Sequence, residues 1–160
     1  MAERTTIKDI DLGFDQLGRA LKRDGFVEVG YFHGEKTYKS EDGKEQKDLA
    51  EIAIQNEFGT ATIPERSFFR SSVNENEKQI MEYAAKERLR VADGKQSFDK
   101  FLTKTALYVR AIIQKKLKAA ANWATPNASS TLAKKGAGKP PLEDTSFMVK
   151  NIDYKKKVTK

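Results

Sequence analysis

FDKFLTKTALYVRAIIQKKL, residues 98–117, decides the fold. Phe98, Leu102, Ala106, Val109, Ile113 and Leu117 recur every three or four positions, the period of one face of an α-helix. Phe101, Tyr108 and Ile112 widen that stripe, while lysines fill the opposite side. An apolar face of this width has to be covered, so the segment is expected to be a core helix with a basic outer surface, around which the rest of the chain is layered.

Downstream, residues 122–142 change to Pro, Ala, Ser, Gly and Lys and cannot build a core of their own, so this basic loop is expected to be either mobile or ordered by docking. The chain then recovers: Asp144 or Thr145 can cap a short apolar group, Phe147, Met148, Val149 and Ile152, and a strand is expected from Asp153 to Val158. Upstream, residues 73–92 predict a polar helix with a thin stripe of Val73, Ile80, Ala84 and Val91, placed at the surface or against a neighbour. Thr60 to Arg70 is expected to be an irregular link containing Pro64 and the pair Phe68-Phe69. Before it, Asp48 caps a helix that carries Leu49, Ile52, Ala53 and Asn56 on one side and stops at Gly59.

Residues 33–47 are almost wholly polar and predict an exposed loop or a protruding hairpin. Phe26 to Phe32 alternates as a strand, with Val27, Val29 and Tyr31 on one face. Residues 7–23 place Ile10, Phe14, Leu17 and Leu21 on a helical stripe, with Gly25 as its stop. Pairing residues 26–32 with 153–158 gives an α+β domain over residues 1–160, in which helices pack on a small, mainly antiparallel sheet.

Composition narrows the chemistry. The 160 residues contain no Cys and one His, which removes disulfides, thiolate metal sites and cysteine nucleophiles. His33 ends a strand and reads as a turn residue. Gly136-Ala137-Gly138-Lys139 fails as a phosphate loop, because Ala133 and Pro140 stand where Gly and Ser or Thr are needed. Asp9-Ile10-Asp11-Leu12-Gly13 fails as a calcium loop at Gly13. The carboxylate pairs Glu41-Asp42 and Glu143-Asp144 sit in polar turns, away from the apolar burial that acid catalysis requires. No catalytic, cofactor-binding or metal-binding residue is assigned, and no enzymatic activity is expected. No apolar run reaches membrane-spanning length and the start lacks an apolar leader, so no membrane association is expected and the chain is expected to remain in the cytoplasm where it is made.

The net charge of +7 is uneven. Between Lys100 and Leu142 stand nine basic residues and no acid, leaving 21 basic residues to face all 23 acids elsewhere. Such a patch implies an acidic partner, and one reading is a nucleic-acid-binding module using Lys100 to Lys139.

Two blocks are more specific. Leu49 to Thr60 ends in Glu57-Phe58-Gly59 and is followed by Ile63-Pro64-Glu65-Arg66-Ser67-Phe68-Phe69-Arg70. Asn127 to Gly136 ends in Lys134-Lys135-Gly136 and is followed by Pro141-Leu142-Glu143-Asp144-Thr145. In order and spacing these blocks, with Val29-Gly30, resemble the tail-completion or neck proteins of tailed bacteriophages, from about residue 26 to the C-terminus; Ser146 stands where that pattern has Gly.

The resemblance implies a virion protein at the neck or head-proximal tail end, assembled in the host cytoplasm as a homo-oligomeric ring, commonly hexameric. It would cap the tail tube protein and join it to the head connector or adaptor, with packaged DNA as a further possible contact. Expected interface residues are Phe58, Gly59, Pro64, Arg66, Phe68, Phe69 and Arg70 in the first block, and Lys134, Lys135 and Gly136 in the second. One of Phe68 and Phe69 is expected in the core and the other against a neighbour, and the Arg66 fork is expected to hold a carboxylate or carbonyls across a junction. Loops 33–47 and 122–142 are expected to be ordered by assembly.

Overall fold

The computed structural model describes residues 22–39, 46–126 and 147–159, together with Gly18. Its centre is the helix expected from the apolar period, Phe98–Lys118. Ser97 caps it by accepting the Lys100 amide hydrogen, and Lys115, Lys116 and Lys118 lie in its last turn, where the helix dipole favours cations. Phe98, Leu102, Ala106, Ile113 and Leu117 are buried, while Val109 is half-buried.

In chain order the elements are β1 (Asp24–Gly30), β2 (Thr37–Lys39), β3 (Gln46–Asp48), α1 (Leu49–Phe58), α2 (Phe68–Glu75), α3 (Glu77–Ala92), α4 (Phe98–Lys118), α5 (Ala120–Trp123), α6 (Phe147–Lys150) and β4 (Asp153–Thr159). The α+β architecture is as expected, but among the described residues the strands form two separate two-stranded ladders. β1 and β4 pair antiparallel, with Val29 opposite Tyr154 and Val27 opposite Lys156. β2 and β3 form the hairpin expected within the polar loop, Thr37 opposite Asp48, its residues 40–45 lying outside the described residues.

α4 packs against β1 and β4 and, on other sides, against α2 and α3. One core cluster joins Ile113 and Leu117 to Leu49 and Ala53 of α1, Phe68 of α2, and Met148, Val149 and Ile152 near the C-terminus. A second joins Phe98 and Leu102 to Val91, with Val27 against them.

Three boundaries differ from the sequence reading, each for a local reason. β1 starts at Asp24, so Gly25 lies inside a strand instead of ending a helix. A Cβ there would lie 2.6 Å from the Lys157 carbonyl oxygen and 3.1 Å from the Phe98 ring, so glycine lets the ribbon close onto α4. Tyr31 falls just past the strand; its hydroxyl donates to the Met148 carbonyl at 2.8 Å, and burial raises its pKa above the ordinary tyrosine value.

The helix expected over 73–92 is two helices, and the first begins at Phe68 within the segment expected to be irregular. Asn76 divides them: its side chain donates to the Ser72 carbonyl at 2.8 Å, a local bond that competes with helix continuation. Of the helix expected over 7–23, only Gly18, Lys22 and Arg23 are described; the first two are helical and Arg23 is not. The basic loop is described only through Pro126.

Candidate functional site

The first motif block folds as a junction between α1 and α2, organised by a buried acid. Glu57 sits in the last turn of α1 and is 6% exposed. Its carboxylate accepts the amide hydrogens of Phe69 (2.8 Å) and Arg70 (3.0 Å), the Ser67 hydroxyl (2.9 Å) and Arg70 Nε (3.0 Å). Those two amides open α2, where an N-cap side chain would ordinarily accept them; Ser67 makes no capping bond, so a residue of the preceding helix caps this one.

Burial alone would raise the Glu57 pKa. The Phe69 and Arg70 amides, the Arg70 guanidinium and the Ser67 hydroxyl outweigh burial and hold it below the ordinary glutamate value.

Between the helices the chain reverses at Gly59, whose φ of 73° and ψ of 173° belong to glycine. A Cβ there would stand 2.9 Å from the Glu65 amide nitrogen. The Thr60 amide donates to the Ile63 carbonyl (2.8 Å) and the Arg66 amide to the Asn56 carbonyl (2.7 Å), closing the turn that contains half-buried Pro64.

Arg66 is 5% exposed, and burial lowers its pKa. Its fork closes within its own chain: Nε donates to the Thr125 carbonyl (2.8 Å), one terminal nitrogen to the Pro126 carbonyl (3.2 Å) and the other to Asn56 Oδ1 (3.2 Å). Within the single chain the Arg66 fork is thus occupied by two carbonyls and an amide oxygen. It holds Thr125 and Pro126, the last described residues of the basic loop, against the end of α1. Arg66→Ala is expected to lower stability by about 2 kcal/mol, from lost bonds to a charged donor, and to speed amide exchange around residues 123–126. Thermal unfolding and hydrogen exchange check it.

The two phenylalanines separate. Phe68 is buried in the core, edge-on to Tyr31 with ring centroids 6.4 Å apart. Phe69 is half-buried and lines a surface groove of about 290 Å³ beside β1, whose walls are Val29, Gly30 and Tyr31 on one side and Ala53, Ile54 and Phe58 of α1 on the other. Ile54 and Phe58 are each 58% exposed. Arg70 closes one end: its guanidinium lies 4.5 Å from the Phe58 ring centroid and 2.7 Å from Glu65 Oε1. Phe58, Gly59, Pro64, Arg66, Phe68, Phe69 and Arg70 are thus brought into one junction; Lys134, Lys135 and Gly136 lie outside the described residues.

Glu57 and Ile54 were given no role by the sequence reading. The signal for Glu57 was an acid in the last turn of a helix, where the dipole disfavours it, followed ten residues later by a Ser-Phe-Phe helix start.

His33 lies in a turn, as expected, with Nδ1 2.6 Å from Asp48 Oδ2. Asp48 also accepts the Gly34 and Ala50 amides, fastening the polar turn to the start of α1. Those amide bonds, Gly34 first, and the His33 charge hold its pKa below the ordinary value.

On the basic face, Lys104 contacts Glu87 and Lys116 contacts Glu75, each at 2.7 Å, whereas Lys100, Lys115 and Lys118 are exposed. Among the described residues no three His, Cys, Asp or Glu side chains gather as a metal site, and no helix is long and apolar enough to cross a membrane. Comparison with protein-family models, with characterised proteins and with solved structures finds no match to this chain.

Proposed function

We propose that this protein is a structural virion subunit of a tailed bacteriophage, a ring that caps the tail tube and joins the tail to the head connector. The observation that carries the reading is the apolar groove between β1 and α1. It is built on the same Glu-Phe-Gly and Ile-Pro-x-Arg-x-Phe block that carries the resemblance to tail-completion proteins. Its walls stand on elements fixed by the Glu57 and Arg66 networks, and a rigid, partly apolar surface is what a permanent protein junction uses.

The rival reading, a nucleic-acid module on the basic region, is weakened by the lysines of α4 that already hold Glu87 and Glu75. A cation engaged by a carboxylate releases fewer counterions on meeting a phosphate.

The test is assembly. Purified protein is expected to form monodisperse rings by native mass measurement and electron microscopy, and to restore joining of filled heads to tails made without it. A protein that stays monomeric and restores nothing overturns the proposal. Micromolar binding to free duplex DNA, with a salt slope near −0.9 for each phosphate neutralised, would transfer the assignment to the rival.

A further inference from the structure

Among the described residues no third strand joins the β1–β4 ribbon. Among the described residues β1 pairs with β4 alone, and β4 with β1 alone, so each strand presents a row of backbone donors and acceptors on its outer edge. The β1 edge opens at Val29, Gly30 and Tyr31 into the apolar groove. Asp24 and Glu28 stand on the exposed face of β1, Lys155 and Lys157 on the same face of β4, as alternation and the pairing register require. One edge is acidic and the other basic.

We infer that the β1 edge and its groove receive the β4 edge of a second copy of this chain, so that the ring is closed by a sheet continuing from subunit to subunit. This rests on the assembly reading above and names its contact.

Strand direction permits it. β1 and β4 run antiparallel within a subunit, and rotation about an axis along the strands leaves every direction unchanged. β4 of one copy therefore meets β1 of the next antiparallel, and the alternation continues around the ring. Charge also permits it, because the Asp24 and Glu28 column comes to lie between its own lysines and those of the neighbour, of which Lys155 also meets Glu35 Oε1 at 2.6 Å. Contact of the same edge with itself, β1 on β1 or β4 on β4, sets acids against acids or lysines against lysines. The contact is head-to-tail, the kind that closes rings, and closure pairs both outer edges of the β1–β4 ribbon. The apolar groove adds a pocket beside the new strand for its inward-facing side chains, the arrangement used when an extended segment joins a sheet edge.

The chain contains no cysteine, which makes the contact directly testable. Glu28→Cys on β1 and Lys157→Cys on β4 change exposed residues that are not opposite one another within the subunit. Coexpressed as two separate variants and oxidised after assembly, they are expected to give disulfide dimers containing one of each chain. The yield should rise at least about tenfold above either variant alone, since only sulfurs brought within bonding reach react. In the same antiparallel register position 26 faces position 159, so Phe26→Cys with Thr159→Cys supplies a second pair.

Rings that give no mixed dimer with either pair overturn the edge contact while leaving the assembly reading intact. Dimers from the Glu28→Cys chain alone overturn the head-to-tail arrangement. A chain that stays monomeric at every concentration overturns both.

Discussion

Replacing Glu57 by Ala is expected to destabilise the fold by about 3 to 5 kcal/mol, the range found when one member of a buried, hydrogen-bonded charge network is removed. The substitution leaves the Phe69 and Arg70 amides without their acceptor at a buried helix start, and it leaves Arg70 without the carboxylate that holds its Nε. Glu57→Gln keeps an acceptor oxygen but turns an NH2 group toward the same donors, so it should recover only part of the loss.

The pH dependence carries the same signature. A carboxyl whose folded pKa is depressed contributes stability above its unfolded value, and that contribution disappears as pH falls through the folded value. Glu57 and Asp48 both lie below their ordinary carboxylate values, so stability is expected to be level above pH 5 and to fall on the acid side. In Glu57→Gln the acid limb should be shallower. Thermal unfolding followed by circular dichroism across pH 3 to 7 checks both parts, and an unchanged acid limb in that variant would remove Glu57 from the account.

What the sequence made legible were the elements whose signal is periodic. Phe98 to Leu117 announced the core helix because a wide apolar face has a period of its own. Val27 and Val29 announced the inward face of β1, and the pairing of β1 with the C-terminal strand followed from having two strands and few alternatives. The caps at Asp48 and Gly59 were equally readable, since each depends on one residue type at one position.

Contacts between polar groups far apart in sequence were not legible. Nothing near Glu57 in the chain indicates that it caps a helix beginning ten residues later. Arg66 was legible as a fork of donors but not in its targets, because Thr125 and Pro126 come near it only through the packing of α4 and α5. The break at Asn76 was hidden for another reason: the apolar stripe of residues 73–92 is thin enough to fit one helix or two.

The groove and the core should separate cleanly under mutation. Phe68→Ala is expected to cost about 3 to 5 kcal/mol of folding stability, because its ring is 1% exposed and its removal leaves a cavity between α2, Tyr31 and the core. Ile54→Glu and Phe58→Glu, at side chains already largely in water, should together cost the isolated subunit far less. Their losses are the cation–π contact of Phe58 with Arg70, worth about 0.5 to 1 kcal/mol at an exposed site, and an unfavourable dipole term of similar size for an added acid at the end of α1.

Association should respond in the opposite order. Two apolar anchors converted to charges on the groove wall remove contacts worth about 2 kcal/mol or more each, a loss of roughly 30-fold per position in binding. The double variant is therefore expected to stay monomeric under conditions where the wild-type chain assembles, with its unfolding midpoint little changed, while Phe68→Ala loses stability before assembly can be measured. Analytical ultracentrifugation beside thermal unfolding distinguishes the two. Normal rings from Ile54→Glu with Phe58→Glu would place the groove outside the subunit contact and return Phe58 to the role of a platform for Arg70.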